Sequence, residues 1–269
     1  MWRRRKSKKR FSGIKSKMYW VIPFIFIISF IVLFFKSGFF TIRQVEIDSS
    51  QITCATKNQI KDSVKLLGQN FFLIDSVKVE DNLKKKFYCI KSAPISKTFS
   101  NKVKIQVLNR QPVAILATLK EKEASMSSFF FNIATPSARE IQDYYIVDSE
   151  GVVFSKDKEK INVSRIYIDD LDISLGGKLE SRLIGDSLKI LEIAKTLGIV
   201  VSESWIFDNF FIINSDASKL KVIFRLDNRV DIQLASLQLI LDKAKIDLKE
   251  LEFIDLRFDK PVVRFAPKK

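Results

Sequence analysis

Hydrophobic and polar positions follow one another along this chain in three regimes. The first seventeen residues carry nine Lys/Arg and no acid, residues 18–35 are eighteen in a row without a charge, and from Phe40 onward short apolar periods alternate with polar breaks. A helix over 18–35 rises ~1.5 Å per residue to about 27 Å, close to the roughly 30 Å hydrocarbon core of a bilayer. Thirteen of its residues are Phe, Ile, Val or Leu. At roughly −0.3 to −0.6 kcal/mol each, insertion gains on the order of 4 to 8 kcal/mol. The pattern predicts one transmembrane helix at 18–35 behind a basic tail at 1–17.

Beyond Phe40 the periods shorten. Phe40, Ile42, Val45 and Ile47 predict a strand whose alternation changes parity between Ile42 and Val45. Thr56-Lys57-Asn58-Gln59 has the form of a capping box, with Ile60, Val64 and Leu67 as the stripe of a helix stopped at Gly68. A second helix begins near Asp75 or Ser76 and is lined by Val79, Leu83 and Phe87, and strands are predicted at 90–96 and 102–108. Further on, Asp148-Ser149-Glu150-Gly151 has the turn residues that join two strands. A helix over 179–197 carries Ile184, Leu188 and Leu191 up to Gly198. Strands are predicted at 205–214, 220–226 and 229–234, the last two meeting at Asp227-Asn228, then a helix with Leu237, Ile240, Leu241 and Ala244, and a final strand at 252–265. The stretch 121–140, with Phe129-Phe130-Phe131 among Ser, Ala and Thr, reads as an insertion or loop. The fold class expected is α+β, with a largely antiparallel sheet in the second half.

Charge changes the picture only at the N-terminus. The net charge is +15, of which the tail holds +9, leaving +6 over the other 252 residues with both signs interspersed. Such a tail sets topology and lies against anionic lipid, so nucleic acid is not an expected partner. The positive-inside bias holds the N-terminus in the cytoplasm and places everything after Lys36 outside. A cleaved secretory signal is the rival, but Phe35-Lys36-Ser37-Gly38 puts bulk and charge where a peptidase needs small residues.

The chemistry is notable for what is missing. The chain has no histidine, which removes the usual general base, zinc ligand and nucleophile partner. No GxxxxGK[ST] or GxGxxG occurs. Carboxylate pairs such as Asp169-Asp170 read as solvated turns. No enzyme, cofactor or metal is expected. The only cysteines are Cys54 and Cys89. In an oxidising exterior they would close one loop of roughly 35 residues, stabilising by about 3 to 4 kcal/mol on the loop-entropy account; two buried thiols are the alternative.

The order strand, helix, helix, strand, strand, with Gln69-Asn70-Phe71-Phe72-Leu73-Ile74-Asp75 between the helices and Asn109-Arg110-Gln111-Pro112-Val113-Ala114 at the end, resembles a POTRA domain. Directly after one basic-flanked apolar span, it is similar to the FtsQ/DivIB family of bacterial cell-division proteins. Tyr145 to Phe154 resembles that family's hairpin after the POTRA unit, and Phe253-Ile254-Asp255-Leu256-Arg257-Phe258-Asp259 its closing strand. The chain departs from the family pattern at Asp48-Ser49-Ser50, where a Gly is usual, and at Ser100-Asn101, where a Pro is common. The organisation expected is a tail at 1–17, a span at 18–35, a POTRA domain at 40–112, a β domain of FtsQ type at 113–265 and a C-terminal tail at 266–269.

The resemblance implies a non-catalytic divisome scaffold in the bacterial cytoplasmic membrane at the division septum. Its partners would be FtsB/FtsL-type proteins, other divisome components and membrane lipid. If the closing strand lies at a sheet edge, its unpaired N–H and C=O groups are a template for strand addition. The partner-binding residues expected there are Ile254, Asp255, Leu256, Arg257, Phe258, Val262, Val263 and Arg264, with Arg257 and Phe258 as the main side-chain contacts. Pro261 cannot donate to a ladder, so pairing should weaken there. The competing class is a membrane-anchored cell-wall hydrolase or transferase using carboxylates, against which the missing histidine counts.

Overall fold

A computed structural model describes residues 23–30, 33, 38–49, 54–98, 101–119, 141–156, 161–169, 171–226, 229–244 and 248–267. Among these no helix is long and apolar enough to cross a membrane. Of the predicted span, 23–30 and 33 are helical and exposed; its remainder, the tail at 1–17, the stretch 121–140 and the Asp227-Asn228 junction lie outside the described residues. The chain divides into two compact units, one of Met1–Leu83 with Ser92–Val107, the other of Lys84–Lys91 with Leu108–Lys269.

In the first unit β1 (Gln44–Asp48) runs parallel to β4 (Lys102–Gln106), which pairs antiparallel with β3 (Ile95–Thr98). Two helices follow β1 in the chain, α1 (Lys57–Val64), which lies against β1 and buries Ile60, and α2 (Ser76–Lys86), which buries Leu83. Ile42, Val45, Ile60, Leu83, Val103 and Ile105 are buried. The capping box forms as expected: the Thr56 hydroxyl accepts the Gln59 N–H at 3.2 Å and the Gln59 side chain accepts the Thr56 N–H at 2.8 Å. The helix stops earlier than predicted, because Lys65 takes a left-handed conformation at φ 44°. Gly68, at φ +81°, instead opens a short return segment: its N–H donates to Ile42 O at 3.0 Å, and the Ile42 N–H donates to Gln69 O at 2.9 Å. This accounts for the parity change in the first apolar run. Phe40 to Ile42 pair with that return segment, and the strand proper begins only at Gln44.

The predicted strand at 90–96 divides at Ala93-Pro94, since Pro94 has no N–H to give a ladder. Its first part, β2 (Ile90–Ser92), pairs with β5 (Leu108–Asn109) in a separate ribbon. Both Cys54 and Cys89 are disulfide-bonded.

The strands of the second unit are β6 (Ala114–Leu119), β7 (Ile141–Val147), β8 (Val153–Ser155), β9 (Ser164–Asp169), β10 (Glu203–Phe207), β11 (Phe210–Asn214), β12 (Lys221–Arg225), β13 (Leu251–Asp255) and β14 (Val262–Phe265). Among the described residues they form one nine-stranded sheet in the order β14-β13-β12-β11-β10-β9-β6-β7-β8. Most neighbours are antiparallel; β9 with β6 and with β10, and β12 with β13, are parallel. Parallel neighbours need a crossover. α3 (Arg182–Thr196) supplies it between β9 and β10, and α4 (Val230–Ala244) between β12 and β13. The two helices share a core with one sheet face, in which Leu116, Ile166, Ile184, Leu188, Phe211 and Phe224 are buried; each such side chain contributes about 1.5–3 kcal/mol. The other face carries a smaller cluster with Tyr167 stacked on Trp205 at 5.6 Å.

Three predicted strands are corrected by this topology. The run 205–214 is two strands joined at Asp208-Asn209, with Asp208 at φ 50°, a conformation that Asp tolerates better than most residues. Residues 230–234 are the first turns of α4: Val230 and Leu234 are buried while Ile232 is exposed, a spacing of four and not of two. The run 252–265 is a hairpin, β13 and β14, with Pro261 in the connection.

Candidate functional site at the open sheet edge

The two ends of the nine-stranded sheet are finished differently. At β8, the Val153 N–H donates to Gly177 O at 3.0 Å, Val153 O accepts the Gly176 N–H at 2.7 Å, and the Leu179 N–H donates to Gly151 O at 2.9 Å. A loop thus occupies the backbone groups of that edge. Glycine is required in it: Gly176 sits at φ +79°, and a Cβ there would meet the Tyr88 ring at 2.4 Å. At the other end β14 is the last strand of the sheet among the described residues. The closing strand predicted to be a single edge therefore divides its residues between an inner strand and an outer one.

Of the eight residues expected to contact a partner, Ile254, Asp255 and Leu256 are buried. They lie on β13 and directly after it, with β12 on one side and β14 on the other, so their side chains belong to the fold. Val263 is half-buried and packs on the helix-side core. Val262, Phe258 and Phe265 are exposed, the first and last at 53 % and Phe258 at 60 %. Arg264 is exposed and bonds Glu252 at 3.0 Å, with its guanidinium over the Phe253 ring. The outward surface is Phe258, Val262, Arg264 and Phe265, a set in which Phe265 was not anticipated.

Arg257 also takes an unexpected role. The Asp255 carboxylate accepts its backbone N–H at 3.1 Å, its Nε at 2.9 Å and its Nη2 at 2.7 Å. In this bidentate pair the carboxylate is buried and the guanidinium half-buried, and the guanidinium also lies over the rings of Phe210 and Phe258, at 5.3 and 5.4 Å. Arg257 thereby fixes the start of the β13–β14 connection and holds Phe258 outward.

Beside this connection lies a cleft of about 530 Å³ lined by Arg225, Arg229, Gln233, Leu256, Arg257 and Phe258 among others. Gln233 on α4 bonds both backbone groups of Arg225 at 2.8 Å, fastening the helix to the end of β12. Arg229 approaches Asp259 at 3.9 Å. Arg225 and Arg229 went unrecognised as site residues because the segment carrying Arg229 reads as a strand leading away from the edge. Their nearness to Arg257 follows only from the β12–α4–β13 crossover. In the next row, burial lowers the Lys221 ammonium from its ordinary value, with the charge of Arg264 adding to the effect and Glu252 opposing it.

The site so built is a backbone edge with apolar and basic side chains. Among the described residues no three His, Cys, Asp or Glu side chains gather as a metal site. No curated protein matches the chain. The family model described as POTRA domain, FtsQ-type, matches residues 40–110, the segment of β1, α1, α2, β3 and β4. That segment is an FtsQ-type POTRA domain.

Proposed function

We propose that this protein is a non-catalytic scaffold of the divisome, held in the bacterial cytoplasmic membrane at the septum by one helix over 18–35, with its N-terminus in the cytoplasm. Its β14 edge takes a strand of FtsB, in complex with FtsL, and so links early division proteins to septal wall synthesis. The observation that carries this reading is the asymmetry of the large sheet: the β8 end is occupied by its own loop, while β14 ends the described sheet and presents Val262, Phe258 and Phe265 beside its backbone. Open backbone edges add strands, and exposed apolar neighbours supply side-chain anchors. The anchor reading rests on the uncharged run at 18–35 and the nine basic residues before it.

The test is capture of FtsB by the full-length chain. Phe258→Ala removes an exposed ring and its contact with the Arg257 guanidinium while introducing no group that competes with Asp255 for it, and loss of one interface anchor costs about 1–2 kcal/mol, roughly a 5- to 30-fold drop in affinity. Unchanged capture by a folded Phe258→Ala, Val262→Glu double variant would refute the proposed edge.

A further inference from the structure

In the first unit, the turn between the two helices carries apolar side chains outward. Leu73 is 83 % exposed and Phe72 53 %, with Val77 at the start of α2 similarly bare. They are not a stray loop tip. The Phe71 N–H donates to Phe40 O at 2.8 Å, Thr41 bridges Asn70, and the Phe72 ring meets the Phe40 ring edge-on at 5.0 Å. The turn itself is fixed by the Leu73 N–H on Asn70 O at 3.1 Å and the Phe72 N–H on the Asn70 side chain at 3.0 Å. The aromatic tip is therefore held rigidly against Phe40, the residue with which the chain enters the domain.

Phe40 lies five residues after the last residue of the uncharged run, and five residues reach at most about 17 Å. Wherever 18–35 spans a bilayer, Phe40 and the tip that packs on it are confined to the neighbourhood of its surface. The surrounding charge suits that location: Lys65 and Lys78 are exposed, the latter 3.5 Å from Asp75, and the Lys97 ammonium donates to Ile74 O at 2.8 Å and lies over the Phe71 ring. Aromatic and aliphatic tips flanked by lysines settle at the boundary of headgroups and acyl chains.

We propose that Phe72 and Leu73 rest in the outer interface of the membrane, so that the POTRA domain is seated on anionic phospholipid. The inference rests on the anchor reading, and the experiment separates the two. Full-length chain carrying p-benzoylphenylalanine in place of Phe72, Leu73 or, as a control, the exposed Val200 is reconstituted into phosphatidylglycerol–phosphatidylethanolamine vesicles. It is irradiated, washed with carbonate and weighed by mass spectrometry. The expected result is a chain that stays with the vesicles and gains the mass of one phospholipid several-fold more often at 72 and 73 than at 200. A retained chain without lipid adducts at 72 and 73, with as many at 200, or with crosslinks to a second protein chain overturns the seating while leaving the anchor intact. Release of the chain by carbonate overturns both.

Discussion

The two ends of the nine-stranded sheet pose one physical problem and solve it in opposite ways. At β8 the backbone groups are spent on the loop through Gly176 and Gly177, and the strand is only three residues long. At β14 the strand is again short, but its neighbours are exposed apolar groups and arginines. Short edges, charges and covering loops are the devices that keep sheets from pairing with strangers. Among the described residues the covering loop is found at one end only, and on the proposed reading β14 is where an added strand can go.

The largest effect expected on this contrast comes from the closed edge. Val153→Pro removes the N–H that bonds Gly177 O and disrupts a fully buried position; it should cost about 3 kcal/mol or more in chemical unfolding while FtsB capture per folded molecule stays unchanged. Next is the pair that shapes the open edge. Asp255→Asn removes the carboxylate charge from the pair with Arg257, with an expected loss of about 1.5–3 kcal/mol and a fall in capture, since the β13–β14 connection loosens. Val262→Lys then separates binding from folding: stability within about 0.5 kcal/mol of the parent, affinity for FtsB down by about 1–2 kcal/mol in a titration. Gly176→Ala should cost about 1 kcal/mol for the left-handed backbone alone, with the contact on Tyr88 added. Once the loop is displaced, the β8 edge is open, and self-association in sedimentation velocity is the expected sign.

The smallest effect is one of pH. Lys221 has its folded pKa below its ordinary value of 10.5, chiefly through burial. At neutral pH the charged lysine opposes folding. Between the folded pKa and 10.5 the unfolded chain binds more protons, so stability rises with pH as that opposition is relieved. Lys221→Met should therefore stabilise most near neutral pH, and its advantage over the parent should shrink as pH climbs to 10.5 in paired unfolding titrations.

Much of the first unit was legible because its signals are local. The Thr56–Gln59 capping box and the alternation of Val103, Ile105 and Val107 depend on residues a few positions apart, and both appear as read. In the second unit the same local reading failed where a tertiary choice decides. Val230, Ile232 and Leu234 alternate like a strand, while Val230, Leu234 and Leu237 without Ile232 fit one helical face; the need for a crossover between parallel β12 and β13 selects the helix. Asp208-Asn209 turns the chain without a glycine inside an apolar run, so two strands looked like one. The site was half visible. Its chain position and the exposed Phe258 follow from the sequence pattern, but the Asp255–Arg257 pair turns an expected contact into a brace, and the cleft beside it is assembled from segments more than twenty residues apart.

Hydrogen–deuterium exchange of the full chain with and without FtsB separates the proposed strand addition at the β14 backbone from addition at β8. Amides of Val262–Phe265 should slow by roughly tenfold or more on binding, as new ladder hydrogen bonds form, while those of Val153–Ser155 should not change. Unaltered exchange at Val262–Phe265 with FtsB bound, or protection appearing at β8 instead, would contradict the proposed strand addition at β14.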